Sequence, residues 1–178
     1  MMSDPWAGIL DSDEVILWQG RPNASLDIGP ANWVGFVFGL CFAGFAMVWM
    51  LLAKQAGGLF WTFGLIHFSV GLSVALSSLF WASWRRRYSW YTLTDRRAFI
   101  ATDLPLQGRK LSFYPITEDS DLKIEDGVPP SVIFKTEYRP RKKGSYPVPI
   151  GFERIAEARE VYRLMRQVQR DAQTSDAG

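Results

Sequence analysis

Two long stretches without a charged side chain govern what this chain can fold into. Between Asp27 and Lys54, and again between Lys54 and Arg85, no Asp, Glu, Lys or Arg occurs. The apolar segments run from Ala31 to Leu52 and from Leu59 to Trp81. At 1.5 Å per residue each makes a helix of about 33 Å, enough to cross a hydrocarbon core about 30 Å thick. Trp33, Trp49, Phe60, Trp61, Trp81 and Trp84 gather at the ends, where an indole meets both lipid and water. The reading is transmembrane helices at 31–52 and 59–84. The turn at 53–58, AKQAGG, is so short that the helices are antiparallel neighbours. A cleaved signal peptide is not expected, because the first stretch follows an acidic segment and exceeds a signal h-region in length.

The net charge of +2 hides an asymmetry that sets the orientation. Residues 1–30 carry one Arg and five acids, whereas from Arg85 onward there are 18 Lys/Arg and 13 Asp/Glu. Arg85, Arg86 and Arg87 directly follow the second stretch, Arg96 and Arg97 come soon after, and the turn has only Lys54. Basic flanks stay on the cytoplasmic side, so both termini are expected to be cytoplasmic, in an inner (plasma) membrane. Cys41 is the single cysteine and lies inside an apolar stretch. It reads as a small buried helical side chain, and with His67 as the single histidine no Cys/His zinc site is expected from one chain. Gly35, Gly39 and Ala43 form a small-residue face for helix packing, against the second span or between protomers. His67 near the middle of the second span is expected to make a structural hydrogen bond rather than relay protons, since neither span holds another ionisable group.

After residue 85 the pattern changes to short strand-like runs broken by turn residues. YSWYTLT (88–94), RAFIAT (97–102), KLSFYPI (110–116), DLKIED (121–126), SVIFKTEY (131–138) and VPIGF (148–152) read as six strands, with RPRKKGSYP (139–147) as a basic loop. From about 153 to 170, Ile155, Ala158, Val161, Tyr162, Met165 and Val168 recur at helical spacing, with Arg159, Arg163, Arg166 and Arg170 mostly opposite. The tail 171–178 is expected to be disordered. Residues 85–170 thus read as a small antiparallel sandwich or barrel capped by a C-terminal helix.

Three pieces, in order, resemble the bacterial pleckstrin-homology-like (PH-like) membrane proteins. DEVILWQGRP (13–22) precedes the first span and includes Trp18, Gly20, Arg21 and Pro22. YTLTDRR (91–97) follows the second and includes Tyr91, Leu93, Thr94, Asp95, Arg96 and Arg97. GFERIAEAREVYRLMR (151–166) is the third. The resemblance implies two nearly orthogonal antiparallel sheets with the C-terminal helix closing one end. A PH-like barrel has seven strands, and VILW (15–18) is the candidate for the seventh, which would make the helical hairpin an insertion after the first strand. The resemblance brings no catalytic residues, and such a fold supports lipid, peptide and protein binding alike.

The functional expectation is a membrane-anchored binding or scaffolding module for a protein, a peptide or an anionic headgroup. Two basic clusters are candidate contacts: Arg85, Arg86 and Arg87 beside the membrane, and Arg139, Arg141, Lys142 and Lys143 on the loop. The alternative is a homo-oligomeric membrane protein with a structural or transport role. No catalytic, cofactor or metal site is expected. The acidic stretch Glu118, Asp119, Asp121, Glu125 and Asp126 reads as a solvated strand edge, no soluble His remains for a triad, and nucleic acid is not an expected partner.

Overall fold

The computed structural model describes residues 6, 8–26, 28–105, 107–142 and 144–176, the last two through their backbone only. Two compact units emerge: residues 24–86, and residues 1–23 with 87–178.

The first unit is a helical hairpin. Helix α1 spans Pro30–Gln55 and α2 spans Phe63–Arg87, after a single 3-10 turn at Phe60–Thr62. Pro30 opens α1 where no backbone N–H is needed. Gly57 and Gly58, at φ +84° and +75°, take the left-handed conformation that reverses the chain. Both helices extend a few residues past the apolar stretches, and α2 continues through Arg85–Arg87. They are long and apolar enough to cross a membrane. Their contact is backbone on backbone. A Cβ added to Gly39 would lie 2.5 Å from the Ala75 nitrogen, and one on Gly71 would lie 2.6 Å from the Ala43 nitrogen. Gly35 lies under Ser78 in the same seam. Val34, Phe38, Phe45, Leu52, Leu59 and Ile66 point outward and are exposed, and so does Cys41, which is not the buried side chain its neighbours suggest. At the open end the Ser83 hydroxyl donates to the Ala24 carbonyl, and the Arg86 guanidinium donates to the Ser25 carbonyl at 2.9 Å.

The second unit holds two antiparallel sheets and a helix. Strands β1 (Ile16–Gly20), β2 (Ser89–Thr94), β3 (Arg97–Leu104) and β4 (Gly108–Pro115) form one sheet in that order. Strands β5 (Lys123–Glu125), β6 (Ser131–Arg141) and β7 (Gly144–Phe152) form the other, and α3 spans Ala158–Asp176. The segment before the first helix does supply a strand: Trp18 pairs with Leu93, Gln19 with Thr92 and Gly20 with Tyr91. The hairpin is therefore inserted between two paired strands.

Of the two expected alternatives, a sandwich or a barrel, two separate antiparallel sheets are present and they do not close into a barrel. Past β4 the chain turns on itself, with Ser120 N–H donating to the Thr117 carbonyl at 3.0 Å and Thr117 N–H to the Ser120 hydroxyl at 2.9 Å. The side-chain amide of Gln169 on α3 then donates to the Glu118 carbonyl at 2.7 Å and the Ser120 carbonyl at 3.0 Å. A helix side chain thus satisfies the carbonyls of this turn, which no strand pairs. The basic segment 139–147 is not a loop but the end of a β6–β7 ribbon, pairing Arg139 with Tyr146 and Arg141 with Gly144. Pro140, Pro147 and Pro149 all fall in the same alternate register, opposite Ser145, Tyr138 and Thr136, so one pattern of outward-facing nitrogens accommodates all three. The last helix starts at Ala158 rather than 153 and continues through Asp176, so the tail expected to be disordered is helical up to that residue; 177 and 178 lie outside the described residues.

The core lies between the sheets and α3. Leu93, Val132, Phe152, Ile155, Val161 and Met165 are fully enclosed. Phe152 is at its centre, stacked on Tyr91 at 4.8 Å, edge-on to Phe134 at 5.4 Å and 5.6 Å from Trp18. The Tyr91 hydroxyl accepts the Glu153 N–H at 3.3 Å, so a strand of one sheet is bonded to the end of the other.

The glycine seam predicts a matched pair of outcomes. Gly39→Ala forces a methyl onto backbone atoms that cannot yield alone, and should cost about 1–3 kcal/mol. Gly44→Ala, with nothing within 4 Å of its added Cβ, should be neutral or stabilising by about 0.5–1 kcal/mol. Denaturant titration of the detergent-solubilised chain measures both; equal effects would sink the seam.

Candidate interaction site

The two motif segments on either side of the hairpin are brought together, and an ionic latch joins them. β2 ends at Thr94, and the Asp95-Arg96 turn sends the chain into β3 at Arg97. The segment before β1 comes alongside this turn. Asp95 N–H donates to the Val15 carbonyl at 3.0 Å, and Val15 N–H returns to the Asp95 carboxylate at 3.1 Å. The Glu14 carboxylate, with its side chain fully enclosed, receives the Thr94 hydroxyl at 2.6 Å and the Arg97 Nε at 3.1 Å, and is ion-paired with the Arg97 terminal nitrogen. Asp11 lies 3.2 Å from Arg97 and 3.5 Å from Arg96, and Asp13 pairs with Arg96. The acids of the leader and the arginines of the Asp-Arg-Arg turn thus form one network. Burial by itself would raise the Glu14 pKa. The hydrogen bonds from Arg97, Thr94 and the Asp11 backbone outweigh it and hold the pKa at about 2.

The remaining motif residues organise the core side of the same junction. The Trp18 ring lies over Gly20, where any side chain would collide with it. Pro22 is buried, and Tyr91 and Leu93 face the core. Arg21 turns the other way, its guanidinium 4.8 Å above the Trp90 ring.

On the face of the first sheet away from the core, the leader crosses the strands. Trp6 packs edge-on against Phe99 at 5.5 Å. Beside it opens a cleft of about 630 Å³, walled by Trp6, Ile9, Trp90, Ala101 and Leu111 with Arg21 at its rim. Phe113 continues the apolar surface and is 55% exposed, with the Arg97 guanidinium 5.5 Å from its ring and 5.4 Å from Phe99. Apolar walls with one cation on an aromatic corner make a recognition surface, with position fixed by few polar groups. The cleft itself is not visible in the sequence; alternation places Leu111 and Phe113 on one face but does not say that this face is outside.

The candidate basic residues separate. Arg85 and Arg87 are exposed, whereas Arg86 is buried and donates to the Ser25 carbonyl. Arg139, Arg141 and Lys142 are exposed at the ribbon end, and Lys143 lies outside the described residues. Gly39 and Ala43 lie in the hairpin seam, with Gly35 at its edge. His67 is exposed on α2, with Nδ1 3.4 Å from the Phe63 carbonyl one turn earlier and the Phe63 ring 5.2 Å away. Beside it Phe42, Phe45, Ala46, Trp49 and Gly64 line an apolar groove of about 240 Å³. Among the described residues no group of three or more His, Cys, Asp or Glu side chains is placed to hold a metal ion.

The latch gives a pH-dependent prediction. The folded-state pKa of Glu14 is depressed from 4.5, so its stabilisation is complete above about pH 4.5 and is lost as pH falls through about 2. Glu14→Gln should therefore cost about 3 kcal/mol at neutral pH. The variant and native chains should converge towards pH 2 in denaturation curves, and a gap that stays constant with pH would contradict the latch. Comparison with protein-family models, with curated proteins and with solved structures gives no match to this chain.

Proposed function

We propose that this chain is a membrane-anchored PH-like module, both termini cytoplasmic in the inner (plasma) membrane, that presents its β domain for binding or scaffolding. The observation that carries the reading is the place of the hairpin. It is inserted between β1 and β2, which pair with each other, so the anchor and the domain are one continuous design. The strand order β1-β2-β3-β4 and β5-β6-β7, followed by a helix packed into the opening, supports the PH-like assignment. The outward aromatic and aliphatic residues of both helices support membrane insertion, since in water they would form a large exposed apolar surface. Exposed Arg85 and Arg87 at the exit of α2 favour the cytoplasmic orientation. The cleft edged by Arg21 and Trp90 is the surface best suited to a protein or peptide partner.

A second reading, self-association through the hairpin, has one observation in its favour. His67 is a polar ring on an outward face, bonded only weakly to its own helix, and such groups inside a bilayer usually face a partner.

Two measurements test these readings. A fluorescent protein fused to the C-terminus should be bright and a phosphatase fused there inactive, with the chain resisting carbonate extraction; an active phosphatase would overturn the orientation. Crosslinking and affinity purification from native membranes should yield a recurrent partner, reduced by Arg21→Ala together with Trp90→Ala. Recovery of the chain alone would favour self-association.

A further inference from the structure

The solvent face of α3 carries a feature that neither the latch nor the cleft uses. Arg159, Arg163, Arg166 and Arg170 are all exposed. At 100° per residue they fall within an arc of about 60° and extend about 16 Å along the axis. The opposite side of the helix, Val161, Met165 and Val168, is buried in the core, so the arginine row is held straight on a rigid support. Among the described residues none of the four forms an ion pair; Arg166 alone is engaged, donating to the Gln169 side chain at 3.0 Å. Glu157 and Glu160 lie alongside at the edge of the row, so the row keeps a net positive charge of four against two.

We infer that this arginine row is a docking face for the phosphates of anionic phospholipids, an inference that rests on the membrane-anchored reading of the hairpin. Four guanidinium groups in one line suit a flat field of phosphate acceptors, and each can make paired N–H···O bonds to phosphate. A protein partner is disfavoured by composition. Stable protein interfaces need an apolar or aromatic anchor at their centre, and the row has none; Tyr162 and Leu164 beside it are half-buried. Tethering by the hairpin would hold the β domain at a high local concentration of lipid phosphates, so individually weak electrostatic contacts suffice. The row is separate from the basic end of the β6–β7 ribbon, which lies on other elements of the domain.

The test uses the full chain in nanodiscs of phosphatidylcholine, mixed with vesicles of phosphatidylcholine with or without phosphatidylglycerol, and reads vesicle binding by flotation. Binding should need phosphatidylglycerol, fall with salt, and weaken roughly five-fold for each arginine changed to glutamine. The variant R159Q/R163Q/R166Q/R170Q should lose it and the matching four-lysine variant should keep most of it. The ribbon variant R139Q/R141Q/K142Q should bind nearly as the native chain does. Equal binding to both vesicle types, native-like binding by the four-glutamine variant, or loss confined to the ribbon variant would overturn the inference. So would tighter binding of RNA than of vesicles through the same four residues. Failure to enter nanodiscs would count against the membrane-anchored reading alone, and flotation of the uninserted chain with the same vesicles would still decide the row.

Discussion

Antiparallel pairing of β1 with β2 is the constraint on which the molecule depends. These strands are separated in sequence by the whole helical hairpin, and yet they are neighbours in the sheet. Without that ladder Trp18 would lose its place beside Phe152, and Glu14 would have no reason to sit against Thr94 and Arg97. The latch in turn fixes the leader, and the leader covers part of the outer face of the sheet with Trp6. Core, latch and cleft are consequences of one strand pairing.

The physical character of the latch differs from that of the surface ion pairs. Arg109 with Asp103 and Lys123 with Asp121 are exposed, and pairs of that kind contribute little. Glu14 is enclosed, and three kinds of donor reach it: a hydroxyl, a guanidinium and a backbone N–H. A buried carboxylate with that many donors is specified in position as well as charge, because removing one partner leaves an unmatched group. Thr94 is central. Its hydroxyl donates to Glu14 and accepts the Arg97 N–H at 2.9 Å, so turn and leader are bonded through a single oxygen.

Much of this was legible in the sequence where one physical signal dominated. The two charge-free stretches gave both helices, and Asp95-Arg96 between β-branched and aromatic runs gave the β2–β3 turn. The recurrence of Ile155, Ala158, Val161, Met165 and Val168 marked the buried side of the last helix and its approach. Where signals competed, the reading went astray. Two prolines and a basic run from Arg139 to Pro147 look like a loop, because composition does not reveal that the prolines share a register a two-stranded ribbon can tolerate. Gln169 looks like one more polar position on an amphipathic helix; only the geometry shows that it faces inward to backbone carbonyls. Glu14, Thr94 and Arg97 were visible as parts of motifs, but their encounter depends on the strand pairing, which no local pattern encodes.

The insertion of the hairpin also sets an order of assembly. A strand made early must wait for a partner made much later, and closing a flexible loop of that size is entropically costly. The two helices ease the delay because their ends are tied: Ser83 reaches back to Ala24, and Arg86 to Ser25. Once the hairpin has closed, the distance left to search is that of a short linker, which lowers the closure cost by about 2 kcal/mol. The glycine seam therefore acts as a splint for the nascent chain: packing between two helices makes the first strand a local partner of the second, and the slowest contact in the β domain becomes one of the quickest.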